Sequence, residues 1–152
     1  MAGLYLEDLH VGLRFAAGPI SVTAAEIKSF AAAFDPQPFH LDESAAEKTL
    51  FHGLAASGWH TAALTMRMLT AGGLPIATGV IGVGGEIEWP RPVRAGDELR
   101  VETEVLAIKP SRSKPNQAVV TVRSTTVNQN GEPVQILTAK LFAFARPEIA
   151  PG

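Results

Sequence analysis

Asp35 and His40 stand five residues apart in Phe34-Asp35-Pro36-Gln37-Pro38-Phe39-His40-Leu41-Asp42, on a stretch braced by two prolines. A carboxylate and an imidazole that reach one water can pass protons to and from it, which is general acid–base chemistry. Pro36 disfavours the helical conformation at Asp35, so a helix is predicted to stop at about Phe34 and to present Asp35 at its end. Taken singly, the same residues have plainer readings. Asp35 also suits a helix-terminal turn, and His40 a hydrogen-bonded structural histidine. Asp42 reads as the N-cap of a short helix over residues 43–48 rather than as a participant.

A second feature lies some twenty residues on, where Ser57-Gly58 opens a helix that Gly72-Gly73 closes. The first amides of a helix have no intrahelical acceptor and sit at the positive end of its dipole, so the Gly58 N–H can hold a developing negative charge. Ser57 reads as the N-cap and not as a nucleophile, because no Gly-x-Ser-x-Gly elbow surrounds it. The helix is apolar nearly all round and Arg67 is its only charge, a pattern that predicts burial on most faces. Trp59, Met66 and Met68 are accordingly read as core, and Thr61, Ala62 and Ala63 as small residues that let a sheet wrap closely. His52 and His60 are scattered and no His-Glu-x-x-His occurs, so no metal site is expected.

The elements that must position these groups are legible from periodicity. Residues 4–15 read as an irregular lead-in with a turn at Gly12, and residues 20–22 as a short extended run. Thr23 and Glu26 form a capping box, with Val22 and Ile27 as its hydrophobic staple. Ile27, Phe30, Ala31 and Phe34 then recur on one helical face. After the central helix come strands. Residues 80–89 contain Gly82, Gly84 and Gly85, which predict a bulge against another backbone. Leu99, Val101, Thr103 and Val105 alternate with charged residues, and residues 118–127 alternate similarly, with Arg123 on the polar face. Asn130-Gly131 signals a hairpin turn before the last strand, over residues 136–145. Helices followed by strands give an α+β class, and short links predict a four-stranded antiparallel meander.

The totals narrow the function classes. A chain of 152 residues fits one domain with a real core. A formal net charge of −2 gives no electrostatic reason for binding nucleic acid or a membrane surface. The absence of cysteine excludes disulfides, thiolate metal sites and a cysteine nucleophile. The first residues lack a basic segment followed by an apolar run, so no signal peptide is expected, and no stretch approaches the roughly 20 apolar residues of a membrane span. The expected location is the cytoplasm.

Asp35-x-x-Pro38-x-His40-x-Asp42 resembles the hydratase motif of the MaoC-like dehydratases, also called R-specific enoyl-CoA hydratases, of the hotdog fold. Pro92-Val93-Arg94-Ala95-Gly96-Asp97 resembles that family's Pro-Val-x-x-Gly-Asp segment, and Ser57-Gly58 stands where it usually has His-Gly. Gln37 replaces the usual Asn, keeping an amide but lengthening it. The resemblance covers most of the chain and implies one hotdog domain over residues 1–152. In that fold a curved antiparallel sheet wraps a long central helix, and two copies form a homodimer or a higher assembly. It implies a hydro-lyase of fatty acid metabolism, whose partner is a thioester on coenzyme A or acyl carrier protein. Coenzyme A is then part of the substrate, and no bound cofactor is expected.

Hydrating a double bond conjugated to a thioester requires water activation, protonation of the α carbon and stabilisation of the enolate oxygen. Asp35 and His40 are the candidates for the first two, with either as the base. Gly58 is the candidate oxyanion donor, as the resemblance implies, its missing side chain admitting the thioester. Gln37 and Ser57 are expected to contact substrate. Lys109 to Pro115 reads as a solvated basic loop, or alternatively as the place where Arg112 meets the phosphates of coenzyme A. Two other functions compete. A hotdog thioesterase is disfavoured because residues 58–69 hold no Asp or Glu. A non-catalytic acyl-binding subunit would be expected to lack the dyad.

Overall fold

A computed structural model describes residues 3–148. Five antiparallel strands, β1 (Arg14–Ser21), β2 (Gly82–Glu88), β3 (Glu98–Pro110), β4 (Gln117–Val127) and β5 (Pro133–Phe144), form one sheet in the order β1-β3-β4-β5-β2. The helices α1 (Ala24–Phe34), α2 (Pro38–Leu41), α3 (Glu43–Glu47) and α4 (Gly58–Met68) all lie between β1 and β2 in the chain. This is the α+β hotdog architecture, a curved sheet around a central helix. Among the described residues no helix is long and apolar enough to cross a membrane.

Side chains alternate along β3 and β4 as their period of two dictates. Leu99, Val101 and Val105 of β3 and Val120 and Val122 of β4 enter the core, where Leu64 and Met68 of α4 meet them. The staple residues Val22 and Ile27 are fully buried, and the Thr23 hydroxyl and Glu26 carboxylate cap the start of α1 reciprocally. At the hairpin between β4 and β5, Gly131 takes a φ of 73° and its N–H donates to the Asn128 carbonyl at 3.0 Å. The β2 glycines do mark a bulge, a register shift between Gly82 and Gly84. At Gly85 a Cβ would collide with the backbone of β5.

Four expectations are corrected. Residues 14–21 form one full strand, β1, where a lead-in up to residue 15 and a short extended run from residue 20 were expected; it is obscured because Ala16-Ala17-Gly18-Pro19 has little intrinsic β preference, and an edge position tolerates the missing N–H of Pro19. The meander runs through β3, β4 and β5 only, since β2 pairs with β5 at the far edge. The stretch around Asp35 is not all loop, because Pro38 at the first helical position starts the single turn α2. Finally, α4 is buried on one side only: Trp59 is 61% exposed, and Ala63, Met66 and Arg67 are also exposed. Of the three residues read as core, only Met68 is.

The β2–β3 link matters most for the site. Because β2 and β3 are not neighbours, residues 89–97 must cross the sheet, and they do so at the N-terminal end of α4. There the Val93 carbonyl accepts from the Ala56 N–H at 2.9 Å. The Arg94 guanidinium donates to the carbonyls of Phe51, Gly53 (2.9 Å) and Leu54 (3.2 Å).

Candidate active site

Three helix ends converge on Asp35. It is the C-cap of α1, its N–H donating to the Ala31 carbonyl at 2.8 Å, so its side chain leaves the helix toward α2 and α4. His40 lies in α2, 5% exposed, and its Nδ1–H donates to the Ala55 carbonyl at 2.6 Å. A carbonyl can only accept, so that bond keeps a proton on Nδ1 and leaves Nε2 as the working nitrogen. Nε2 lies 3.3 Å from Asp35 Oδ2. Ser57 supplies the third end. Its Oγ accepts from the Trp59 N–H at 3.2 Å, capping α4, and donates to Asp35 Oδ2 at 2.7 Å.

Burial pushes the Asp35 carboxyl up, but the hydrogen bonds from Ser57 and Gln37 and the charge of His40 outweigh it and hold the group below the usual carboxylate range. Asp35 is therefore an ionised acceptor. A carboxylate offers about four lone-pair directions. The Ser57 hydroxyl, the Gln37 amide (on Oδ1) and His40 occupy three, which leaves one for a water or substrate hydroxyl. The α1 end is also pinned by His60 of α4, whose ring stacks on Phe30 with centroids 4.7 Å apart and planes 7° apart. Burial lowers the His60 pKa, opposed only by Glu26, so this ring is neutral.

His40 opens onto a cleft of about 560 Å³ whose walls include Ala56, Gly58, Thr61, Trp89 and Val93. The structure thus brings Asp35, His40 and Ser57 into direct contact and sets Gly58 on the same cleft. It revises the detail around them. Gln37 and Ser57, expected to contact substrate, each direct a donor to Asp35, and Ser57 has no exposed surface at all. The space that a Gly58 side chain would take is not open to a thioester. A Cβ there would lie 2.6 Å from Trp89 Cε2, so the indole occupies it. Arg112 borders a different hollow, with Lys109, Gln117 and Phe142, while Arg91 and Arg94 are the cations on the cleft.

Sequence reasoning missed Trp89 and Arg94. Trp89 was simply the end of a strand. Arg94 lay inside the Pro92–Asp97 segment, but nothing in that run indicates that its guanidinium would gather three carbonyls from a loop some forty residues earlier. Asp42 acts as read, its carboxylate accepting from the Ala45 N–H at 3.0 Å. Among the described residues no three His, Asp or Glu side chains group as a metal site would require.

Comparison with known proteins gives the chain its relatives. The family model described as MaoC like domain matches residues 11–128. A MaoC-like dehydratase from Rhodospirillum rubrum, whose crystal structure is known, is 62% identical, with a TM-score of 0.95 over 96% of this chain and 100% of that one. The R-hydratase of Pseudomonas aeruginosa superposes with a TM-score of 0.75 at 29% identity, covering 99% of this chain and 97% of its own. A 3-hydroxybutyryl-CoA dehydratase of Methylorubrum extorquens is 32% identical over 130 residues, 85% of this chain and 81% of that protein.

Proposed function

The chain belongs to the MaoC-like dehydratase family, and from that premise we propose that it is an enoyl-thioester hydratase, or in reverse a 3-hydroxyacyl-thioester dehydratase. The acyl group arrives on coenzyme A or acyl carrier protein. The observation that carries this reading is the 3.3 Å contact of His40 Nε2 with Asp35 Oδ2, with Nδ1 held by the Ala55 carbonyl.

Each group has a defined task. The dyad starts with His40 doubly protonated, Nδ1–H on the Ala55 carbonyl and Nε2–H facing the Asp35 carboxylate. Water at the free position of Asp35 gives its proton to the carboxylate as its oxygen attacks the β carbon. His40 Nε2–H delivers its proton to the α carbon, so one proton leaves water and one reaches carbon. The dyad then restores itself by passing the proton from Asp35 to His40. Between the two events the electron pair rests on the thioester oxygen, where the Gly58 N–H at the start of α4 would hold it. General acid–base catalysis of this kind contributes about 10²–10⁴-fold per group.

The test follows the conjugated enoyl absorbance of crotonyl-CoA, with free thiol measured alongside. Wild type is expected to consume the double bond without releasing thiol, and Asp35→Asn and His40→Ala to lose about 10²–10⁴-fold in kcat. Thiol release without hydration would indicate a thioesterase. Full activity in both variants would end the dyad reading.

A further inference from the structure

Behind one wall of the cleft beside His40 runs a chain of hydrogen bonds. Thr61, one turn into α4, is on the wall of the cleft. Thr65 comes four residues later on the same helical face, and it has no exposed surface. Between Thr65 and the cleft lies Gln135 of β5, also without exposed surface. The Trp89 Nε1–H donates to Gln135 Oε1 at 3.0 Å. An indole N–H can only donate, so the Gln135 amide must be turned with its Nε2 toward Thr65. That Nε2 donates to Thr65 Oγ1 at 3.1 Å, and the Thr65 and Thr126 hydroxyls share a further hydrogen bond at 2.6 Å.

This arrangement distinguishes Trp89 from an ordinary apolar wall. A side chain held only by packing yields to a longer ligand by changing rotamer. For the indole to swing out of the cleft, it would leave the Gln135 carbonyl buried without a partner. Gly58 belongs to the same device, because a Cβ there would lie 2.6–2.9 Å from three atoms of the ring and push it out. The ring therefore lies against the helix start beside the proposed oxyanion donor, and its tether runs through Gln135 to Thr65 of α4.

We propose that the Trp89–Gln135–Thr65 bridge is the floor of the acyl pocket and makes this chain selective for short acyl thioesters. The proposal rests on the hydratase reading for its choice of substrate, and the test separates the two. Turnover of crotonyl-CoA and trans-dodecenoyl-CoA is compared in wild type, Trp89→Ala, Trp89→Phe and Gln135→Leu, each checked for a cooperative melt. Wild type is expected to favour the short substrate in kcat/KM by about tenfold or more, and Trp89→Ala and Gln135→Leu to reduce that preference by about tenfold, chiefly through KM of the long substrate. Trp89→Phe keeps a ring but loses the tether and falls between. If Trp89→Ala does not fold, the other two variants decide alone.

Calorimetric binding of the unreactive butyryl-CoA and dodecanoyl-CoA reads the floor without any reaction. If no enoyl thioester turns over but wild type binds the short ester more tightly and the variants equalise the two, the hydratase reading falls and the floor stands. A wild type that accepts both lengths equally, or folded variants with an unchanged preference, overturns the floor whatever the reaction.

Discussion

At the level of single residues, Ser57 links the end of one helix, the start of another and the carboxylate proposed to do chemistry. Its hydroxyl is one of the donors that hold Asp35 below its ordinary pKa of 3.8. Ser57→Ala removes that donor, so the Asp35 pKa should rise toward what burial alone favours. Catalysis that needs the ionised carboxylate then requires a higher pH, and the acid limb of the kcat profile moves up. A charge-assisted hydrogen bond of about 1.5 kcal/mol sets the scale, so the acid limb should move up by about one pH unit while kcat at neutral pH changes little. Stability carries the same signature. A carboxyl depressed in the folded state stabilises the protein above its unfolded pKa, and that contribution is lost as pH falls through the folded value. Urea midpoints at neutral and acid pH should therefore differ less in Ser57→Ala than in wild type, beside a pH-independent loss of about 1 kcal/mol from the missing N-cap. An unmoved acid limb would show that Asp35 does not control the rate. The pairing of Asp35 with His40 was legible because a helix end and two prolines restrict where both can go. The bracing by Ser57 was not, since a hydroxyl at an N-cap shows nothing of what else approaches it.

Among the elements, β3, β4, α1 and the start of α4 were readable because period, caps and turn residues are local signals. The strand β1 was not, because Ala16-Ala17-Gly18-Pro19 carries little β preference, and the course of residues 89–97 was not, because it depends on which edge of the sheet accepts β2. That crossing link gives Arg94 its role. Its three bonds hold the loop whose Ala55 carbonyl orients His40. Arg94→Ala should lower stability by about 2–3 kcal/mol, the range for losing hydrogen bonds to a charged group, and reduce kcat as His40 loses its fixed tautomer. Chemical denaturation with parallel kinetics reads both; a stability loss with unchanged kcat would detach the loop from catalysis. The α1–α4 contact offers a complementary change. His60 Nδ1 has no hydrogen-bond partner among the described residues, although the ring stacks well on Phe30. His60→Phe keeps the stack and removes the buried polar atom, so it should stabilise by about 1 kcal/mol. The gain should grow as pH falls below 6.5, the ordinary histidine value, because the unfolded chain then binds a proton that the folded wild type resists. Thermal melts across mild acid test this, and a destabilised variant at every pH would mean that Nδ1 has a partner after all.

For the whole molecule, the remaining question is what covers its apolar exterior. The sheet has two edges, and an unpaired edge is a template for another strand. At the β1 edge Pro19 lacks an N–H, so that edge is interrupted. The β2 edge carries no proline and shows Val83 at 54% exposure. Beside it the outer face of α4 exposes Trp59 and Met66, and Trp59 meets Trp89 edge-on with centroids 5.4 Å apart, so strand edge and helix face form one apolar surface. A second copy related by a twofold axis would cover its own equivalent surface while being covered, which is how most homodimers form. We propose that this is the homodimer contact, and a stable one should bury about 1,600 Å² in total. Light scattering of the wild type is then expected to give twice the chain mass. Val83→Glu combined with Met66→Glu should give the monomer mass, since like charges brought together on both copies repel. A double variant that keeps the wild-type mass would move the contact elsewhere. Because Trp59 touches Trp89, the monomeric variant is also expected to raise KM for short thioesters. Unchanged kinetics at monomer mass would mean that each chain's cleft is complete without its partner.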